Sequence, residues 1–358
     1  MNNDFIIIGA GIIGLATAEQ LLIQGATVTI LERGEVGRES SWAGGGILSP
    51  LCPWDYADEV TRMTTRGAAL FPAWTQRLHA LTGIDPEYQE SGLLVLPPYD
   101  LQIAQQWCDE HHVTLGQIQP AEYAALTQSP LLYLPHVAQV RNPHLLRALC
   151  NRVQALGGSI VERCPVREVV VENERVQSLD TFAGKQCAAS YIVTAGAWSK
   201  QVLGKHALQL GIKPVQGQML LFKFPEPPVR HILLQADLYL IPRRDGHLLV
   251  GSTLEDVGFD KQITTAARED LHQRAQKILP QLRDAPLIQQ WAGLRPASPR
   301  NIPTIGRHPS LKNLYLNSGH FRYGVTMAPV SAEIIVNEIT GSVQPFDITP
   351  YQAGWSMI

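Results

Sequence analysis

Near the N-terminus the spacing of apolar positions changes from one segment to the next. Phe5-Ile6-Ile7-Ile8 is an unbroken apolar run, the pattern of a strand buried on both faces. Ile12 to Gln24 then carries apolar residues at helical spacing, and Ala26 to Leu31 is a second strand-like run that ends at Glu32. Strand passes to helix through Gly9-Ala10-Gly11-Ile12-Ile13-Gly14. A βαβ unit with this turn fits a dinucleotide. Gly9 makes the tight turn, Gly11 lets backbone approach a pyrophosphate, and Gly14 lets helix pack on strand. The phosphates belong at the helix N-terminus, where unpaired amides and the helix dipole favour negative charge. Glu32, about 20 residues on, can accept both hydroxyls of an adenosine ribose. An acid rather than an arginine there argues against a ribose 2′-phosphate, hence against NADP, and leaves FAD and NAD open.

After Glu32-Arg33 the pattern turns polar and glycine-rich. Ser40-Ser41 and Ala43-Gly44-Gly45-Gly46 carry too much glycine for a helix interior and offer hydroxyls and bare backbone to a bulky flat or phosphorylated ligand. Asp55 to Thr82 reads as a helix, with Met63, Ala69, Leu70, Trp74, Leu78 and Leu81 on its buried face and Gly83 at its end. Glu90 to Leu96 reads as a strand, Asp100 to His111 as a helix, Gln119 to Thr127 as a short helix, and Leu131 to Val140 as extended chain. Pro143 to Leu156 is a helix with proline in its first turn and Gly157-Gly158 closing it, followed by a short strand at Ser159 to Val161.

Val166 to Val171, Arg175 to Thr181 and Lys185 to Val193 alternate as a small antiparallel meander. It leaves through Tyr191 to Gly196, a second strand-to-glycine junction, with Ala195 and Gly196 at the turn. A flavoprotein needs such a junction where the main sheet passes under the cofactor again, and a NAD dehydrogenase does not usually carry this meander, so the pattern favours FAD. Lys213 to Phe224, Tyr239 to Pro242 and Leu248 to Ser252 read as strands of another sheet, with Arg243-Arg244-Asp245-Gly246 as a hairpin turn. Thr264 to Leu279 is a helix stopped by Pro280. Leu314 to Val325 runs from strand through a glycine turn into a helix that continues to Glu338, with Pro329 near its first turn. The start of that helix is another place that stabilises an anion.

Composition narrows the reading. At 358 residues the chain can hold two domains, and 45% hydrophobic with 17% charged residues is globular composition. A net charge of −3 gives no case for nucleic acid or an anionic membrane surface. Cys52, Cys108, Cys150, Cys164 and Cys187 are scattered without a CxxC, which fits reduced thiols and offers no metal framework; no metal is expected. The N-terminus lacks the positive region of a signal peptide, and the first apolar run is too interrupted to span a membrane, so a cytoplasmic protein is expected.

Three polar side chains stand out from apolar or glycine-rich surroundings: Tyr239 at the start of a strand, Arg295 between Leu294 and Pro296, and Arg322 in the Gly319-to-Gly324 turn. Arginine beside a flavin offers a bidentate grip on a substrate carboxylate, and a tyrosine hydroxyl can add to it. No general base is apparent.

The segments GAGIIGLATAEQLL, ILERGEVGRESSWAGGGILSPLCPW, TAGAWS, YLIPRRDG, VGST, WAGLRP, IPTIG and GHFRYGV follow one another in the order of the D-amino-acid-oxidase superfamily of FAD enzymes. Within that superfamily the chain most resembles the bacterial glycine oxidases of thiamine biosynthesis, over nearly its whole length. The resemblance implies an α/β fold: a Rossmann-like FAD-binding domain of glutathione-reductase type, discontinuous over 1–82, 141–210 and 291–358, with an antiparallel-sheet α+β substrate domain over 83–140 and 211–290. It implies that Tyr239, Arg295 and Arg322 bind the substrate. Cofactor contacts would come from Ile12, Ile13, Glu32, Arg33, Ser40, Ser41, Gly45, Gly46, Ile47, Val166, His320, Phe321, Arg322, Tyr323, Gly324, Val325 and Thr326. Gly9, Gly11, Gly14, Ala195, Gly196 and Gly293 are cofactor-site candidates with them. Ile47 and Leu254 stand where some relatives place methionines against the substrate, which bears on the side chains the pocket prefers. Relatives with covalent flavin attach it through a cysteine downstream of the LRP-like segment; no cysteine follows Cys187, so non-covalent FAD is expected.

The implied reaction is hydride transfer from glycine Cα to flavin, then hydrolysis of the imine to glyoxylate and ammonia, with oxygen giving hydrogen peroxide. The imine could instead pass to a thiazole-forming enzyme. A D-amino-acid or sarcosine oxidase or dehydrogenase, or a non-catalytic flavin-binding subunit, is the alternative. The resemblance admits a homo-oligomer, which no stripe in the sequence demands.

Overall fold

The computed structural model describes residues 3–118 and 129–355. Among the described residues the strands form a six-stranded and an eight-stranded sheet, with smaller sheets of three and two strands. The six-stranded sheet runs, in spatial order, Thr304–Arg307, Leu314–Ser318, Ala188–Val193, Asn3–Ile8, Val28–Leu31 and Ser159–Val161. Its strands are parallel except Thr304–Arg307, which pairs antiparallel with Leu314–Ser318. Ile6, Ile7 and Ile8 at its centre are at most 4% exposed, as an unbroken apolar run in a two-sided sheet requires. Helices Ile12–Ile23, Asn142–Ala155, Asp58–Thr82 and Gly324–Thr340 cover one face, and the meander and Ser199–Leu203 cover the other.

The eight-stranded sheet follows the order Leu287–Ala297, Lys213–Lys223, His247–Gly251, Leu238–Pro242, Ile232–Gln235, Leu93–Val95, Leu131–Leu134 and Gly116–Ile118. Its pairs are antiparallel apart from Ile232–Gln235 with Leu93–Val95. Helix Thr265–Ile278 packs on one face through Leu271, Ala275 and Ile278. Its first turn is capped by Thr264, whose hydroxyl accepts from the Ala267 N–H.

Several expectations shift. Ser40–Ala43 forms one helical turn before the glycines begin. The helix expected from Asp55 starts at Asp58 after a short turn, and its buried face holds Gly67, Phe71 and Thr75, whereas Ala69 and Leu81 are exposed. The expected third meander strand is two strands: Gly184–Gln186 stays in the meander, while Ala188–Val193 joins the six-stranded sheet beside Asn3–Ile8. Strand Ile232–Gln235 has no counterpart in the sequence reading, and Pro329 lies inside the last long helix, beyond its first turn. The helix expected over Gln119 to Thr127 falls outside the described residues. Among the described residues no helix is long and apolar enough to cross a membrane, and no cluster of His, Cys, Asp and Glu could hold a metal ion.

Candidate active site

A cavity of about 360 Å³ runs from the C-terminal ends of the parallel strands to the inner face of the eight-stranded sheet. Its nucleotide-like end is built as the glycine pattern requires. Gly9 has φ +112°, and a Cβ there would lie 2.8 Å from the Thr194 carbonyl oxygen. The N–H of Ile12, at the start of its helix, donates to Ser41 Oγ at 3.0 Å. Glu32 is 6% exposed; one carboxylate oxygen accepts from the Ala10 N–H and the other from the Gly34 N–H, each at 2.8 Å. These bonds fix the carboxylate where the second strand ends and leave lone pairs for a ribose. The Arg33 guanidinium stacks 3.5 Å from the centre of the Trp198 ring, and Glu39 pairs with both Arg33 and Lys261 at the rim.

The far end rests on the eight-stranded sheet. Val215 pairs with Arg295 in register, and Tyr239 pairs with Gly251. Arg295 Nη1 donates to the carbonyls of Gln216 at 3.3 Å and Thr253 at 3.2 Å, and Nη2 donates to Ser252 Oγ at 2.5 Å. Its tethered side therefore faces the sheet, and its accessible side faces the cavity that it lines. Desolvation pulls its pKa below the usual arginine value, the Tyr239 hydroxyl beside it acts in the opposite sense, and Arg322 nearby lowers it further. A Cβ on Gly217 would overlap this guanidinium, so the glycine is what lets Arg295 lie flat against the strand. Tyr239 Oη donates to Met219 Sδ at 3.3 Å. Tyr323 stacks edge-on against Tyr56, and burial raises its pKa far above the usual tyrosine value.

Tyr239, Arg295 and Arg322, widely separated in sequence, all line this cavity. So do Gly9, Gly11, Ile12, Ile13, Glu32, Arg33, Ser40, Ser41, Gly45, Gly46, Ile47, Val166, Ala195, Gly196, Gly293, His320, Phe321, Tyr323, Gly324 and Val325. Gly14 and Thr326 do not. A Cβ on Gly14 would overlap the Gly9 carbonyl oxygen, so Gly14 packs the helix. Thr326 is buried and donates from Oγ1 to Ile47 O at 3.2 Å. Leu254 is 51% exposed and lies off the cavity wall, whereas Ile47 is on it. Sequence reasoning passed over Trp198, Met219, Gly217 and Ser252. Trp198 lay in the quoted TAGAWS segment and Ser252 in VGST; Gly217 and Met219 become visible only through strand register.

This wall fits FAD. It offers a ribose acceptor and a helix N-terminus at one end. At the other lies the Gly45-Gly46-Ile47 turn, where a Cβ on Gly46 would overlap the Val140 carbonyl oxygen, so position 46 admits no side chain.

The comparisons with known proteins agree. The family model described as FAD dependent oxidoreductase matches residues 4–338. A glycine oxidase of Pseudomonas aeruginosa is 41% identical over 358 residues, covering 98% of each chain. The bifunctional protein ThiO/ThiG of Trichormus variabilis is 32% identical over 95% of this chain, which spans 53% of that longer protein. The crystal structure of glycine oxidase from Geobacillus kaustophilus superposes with a TM-score of 0.91 over 98% of both chains at 24% identity, a likeness of fold. With the family model matched over most of its length and the groove for the cofactor in place, the chain belongs to the FAD-dependent oxidoreductase (DAO) family.

Proposed function

We propose that this protein oxidises glycine, and with it other small amines, to the imine, which water converts to glyoxylate and ammonia. The observation that carries the reading is Arg295, a guanidinium tethered to the sheet on one side and open to the cavity on the other, with the Tyr239 hydroxyl and Arg322 beside it. The 41% identity to a glycine oxidase supports it. FAD, when bound, would supply the two-electron acceptor for the Cα hydride, with oxygen as the final acceptor giving hydrogen peroxide. The balance is glycine, oxygen and water to glyoxylate, ammonia and hydrogen peroxide.

The protein's own task is positional. Arg295 grips the carboxylate in a fork whose orientation is set by its bonds to Gln216, Thr253 and Ser252. Tyr239 and Arg322 complete the grip. Gly9, Gly11, Ile12, Ile13, Glu32, Ser41 and the Gly45-Gly46-Ile47 turn hold the cofactor. Residues 1–82, 141–210 and 291–358 form the cofactor unit and 83–140 with 211–290 the substrate unit, strand Leu287–Ala297 crossing the last boundary. The fusion named ThiO/ThiG supports a thiazole-forming enzyme as consumer of the imine.

The test is anaerobic reduction of the purified flavoprotein with glycine, sarcosine, D-alanine and D-proline, followed by readmission of oxygen and assay of peroxide. Glycine bleaches the flavin and yields peroxide. In Arg295→Leu, kcat/KM falls on the order of 100-fold or more, ~3 kcal/mol, as expected when one partner of an enclosed charge pair is removed. Intact turnover in that variant, or a flavin that none of the amines bleaches, refutes the reading.

A further inference from the structure

The hairpin Arg243-Arg244-Asp245-Gly246 carries a buried charge that gripping the substrate does not use. Arg243 is 5% exposed. Its Nη1 donates to the Gln139 side-chain oxygen at 2.6 Å and to Val140 O at 2.9 Å, and its Nη2 donates to Gly45 O at 2.7 Å. Nε is buried with no partner among the described residues. None of these acceptors is a carboxylate. The nearby Glu87 and Asp245 are held instead by Arg141, at 3.1 and 2.9 Å. Burial, with Arg141 adding repulsion, lowers the Arg243 pKa to about 10 against the pull of the two acids, and the side chain stays charged at neutral pH. An enclosed cation without its own counter-ion is costly and is retained where it does something.

Its effect falls on the cavity wall. Gly45 O is taken by Arg243, Gly46 O accepts from the Val140 N–H at 2.9 Å, and Ile47 O accepts from Thr326 Oγ1 at 3.2 Å. Gly46 sits at φ +76°, a conformation that makes this sequence of carbonyl directions possible. The N–H groups of Gly45, Gly46 and Ile47 donate to nothing among the described residues, and all three residues line the cavity. Pinning successive carbonyls on the protein side leaves successive amides for a ligand, an arrangement that receives an electron-rich group.

We infer that Arg243 is the positioning residue of an amide cradle, Gly45 to Ile47, that takes an electron-rich edge of the flavin ring, and that it thereby sets both the affinity for FAD and its tendency to accept electrons. The inference rests on the reading that this turn faces the flavin, and not on which amine is oxidised.

The experiment uses full-length protein stripped of flavin and reconstituted, with no amine present. FAD dissociation constants come from flavin fluorescence and midpoint potentials from anaerobic titration against reference dyes. Arg243→Met weakens FAD at least tenfold and moves the potential in the negative direction, because a cation and donors that favour the more anionic reduced ring are lost. Arg243→Lys, which keeps the charge and fewer bonds, restores the potential more fully than the affinity. At saturating FAD, Arg243→Met lowers kcat and leaves KM for the amine within twofold. Should Arg243→Met fail to fold, Gln139→Ala removes one anchor of the guanidinium and gives a smaller change in the same direction. A folded Arg243→Met or Gln139→Ala with parental affinity and potential overturns the inference. Glu32→Leu serves as the reference: loss of FAD there but not in Arg243→Met sinks the role of Arg243 alone, and no loss in either sinks the cofactor groove as well.

Discussion

His320 lines the cofactor cavity with its Nε2 2.8 Å from Ser331 Oγ, and burial drives its pKa down to about 3. The folded protein therefore holds a neutral imidazole where an exposed histidine would charge. A group whose folded pKa lies below its unfolded value stabilises fully above the unfolded value, near 6.5, and loses that contribution as pH falls towards 3. His320→Asn should flatten the pH dependence of unfolding free energy between those limits, by at most about 1.4 kcal/mol per pH unit. Denaturant titrations of parent and variant at pH 7, 5.5 and 4.5 check it, and parallel pH profiles would refute it. At this scale the sequence was informative where a polar residue broke an apolar or glycine-rich run, as Tyr239, Arg295 and Arg322 do. It was silent on Arg243, which looks like half of a charged hairpin, because burial is a property of what folds over a residue. It was equally silent on Gly217, whose purpose appears only when Arg295 lies across it.

Two long helices, Asp58–Thr82 and Gly324–Thr340, cross where a Cβ on Gly67 would overlap the Thr326 carbonyl oxygen. Neither backbone is a flexible side chain that can swing aside. Gly67→Ala should therefore destabilise the fold by about 1–3 kcal/mol despite alanine's better helix propensity, and chemical denaturation with a lower midpoint at unchanged slope is the expected signature. Because the Thr326 hydroxyl supports Ile47, the same change should also loosen FAD. Elements with strong periodicity or clear caps were legible: the first βαβ unit, the helix closed by Gly157-Gly158 and the helix capped by Thr264. Ile232–Gln235 was not, since four residues without alternation or β-branched enrichment say little on their own. Nor could local pattern show that the chain changes sheets between Gln186 and Ala188, where two strands sit almost end to end.

The cavity is walled by both large sheets, and the residues that line it are spread from Ile8 to Val325. A ligand held that way ties folding to binding. Removing FAD should lower the melting temperature, and restoring it at about 100 times its dissociation constant should return about 2.7 kcal/mol. Scanning calorimetry across a range of FAD concentrations measures this, and a melting temperature indifferent to FAD would contradict it. Strand Leu287–Ala297 meets both ends of that cavity wall. Gly293 packs against Ala43, while Arg295, two residues on and therefore on the same face, lies against Gly217. Alternation makes this run intolerant of changes in length. Deleting one residue between Trp291 and Arg295 would turn the guanidinium to the opposite face and set a neighbour's side chain against Ala43. Relatives can thus be expected to place every insertion and deletion outside this stretch and to keep the two-residue spacing between Gly293 and Arg295.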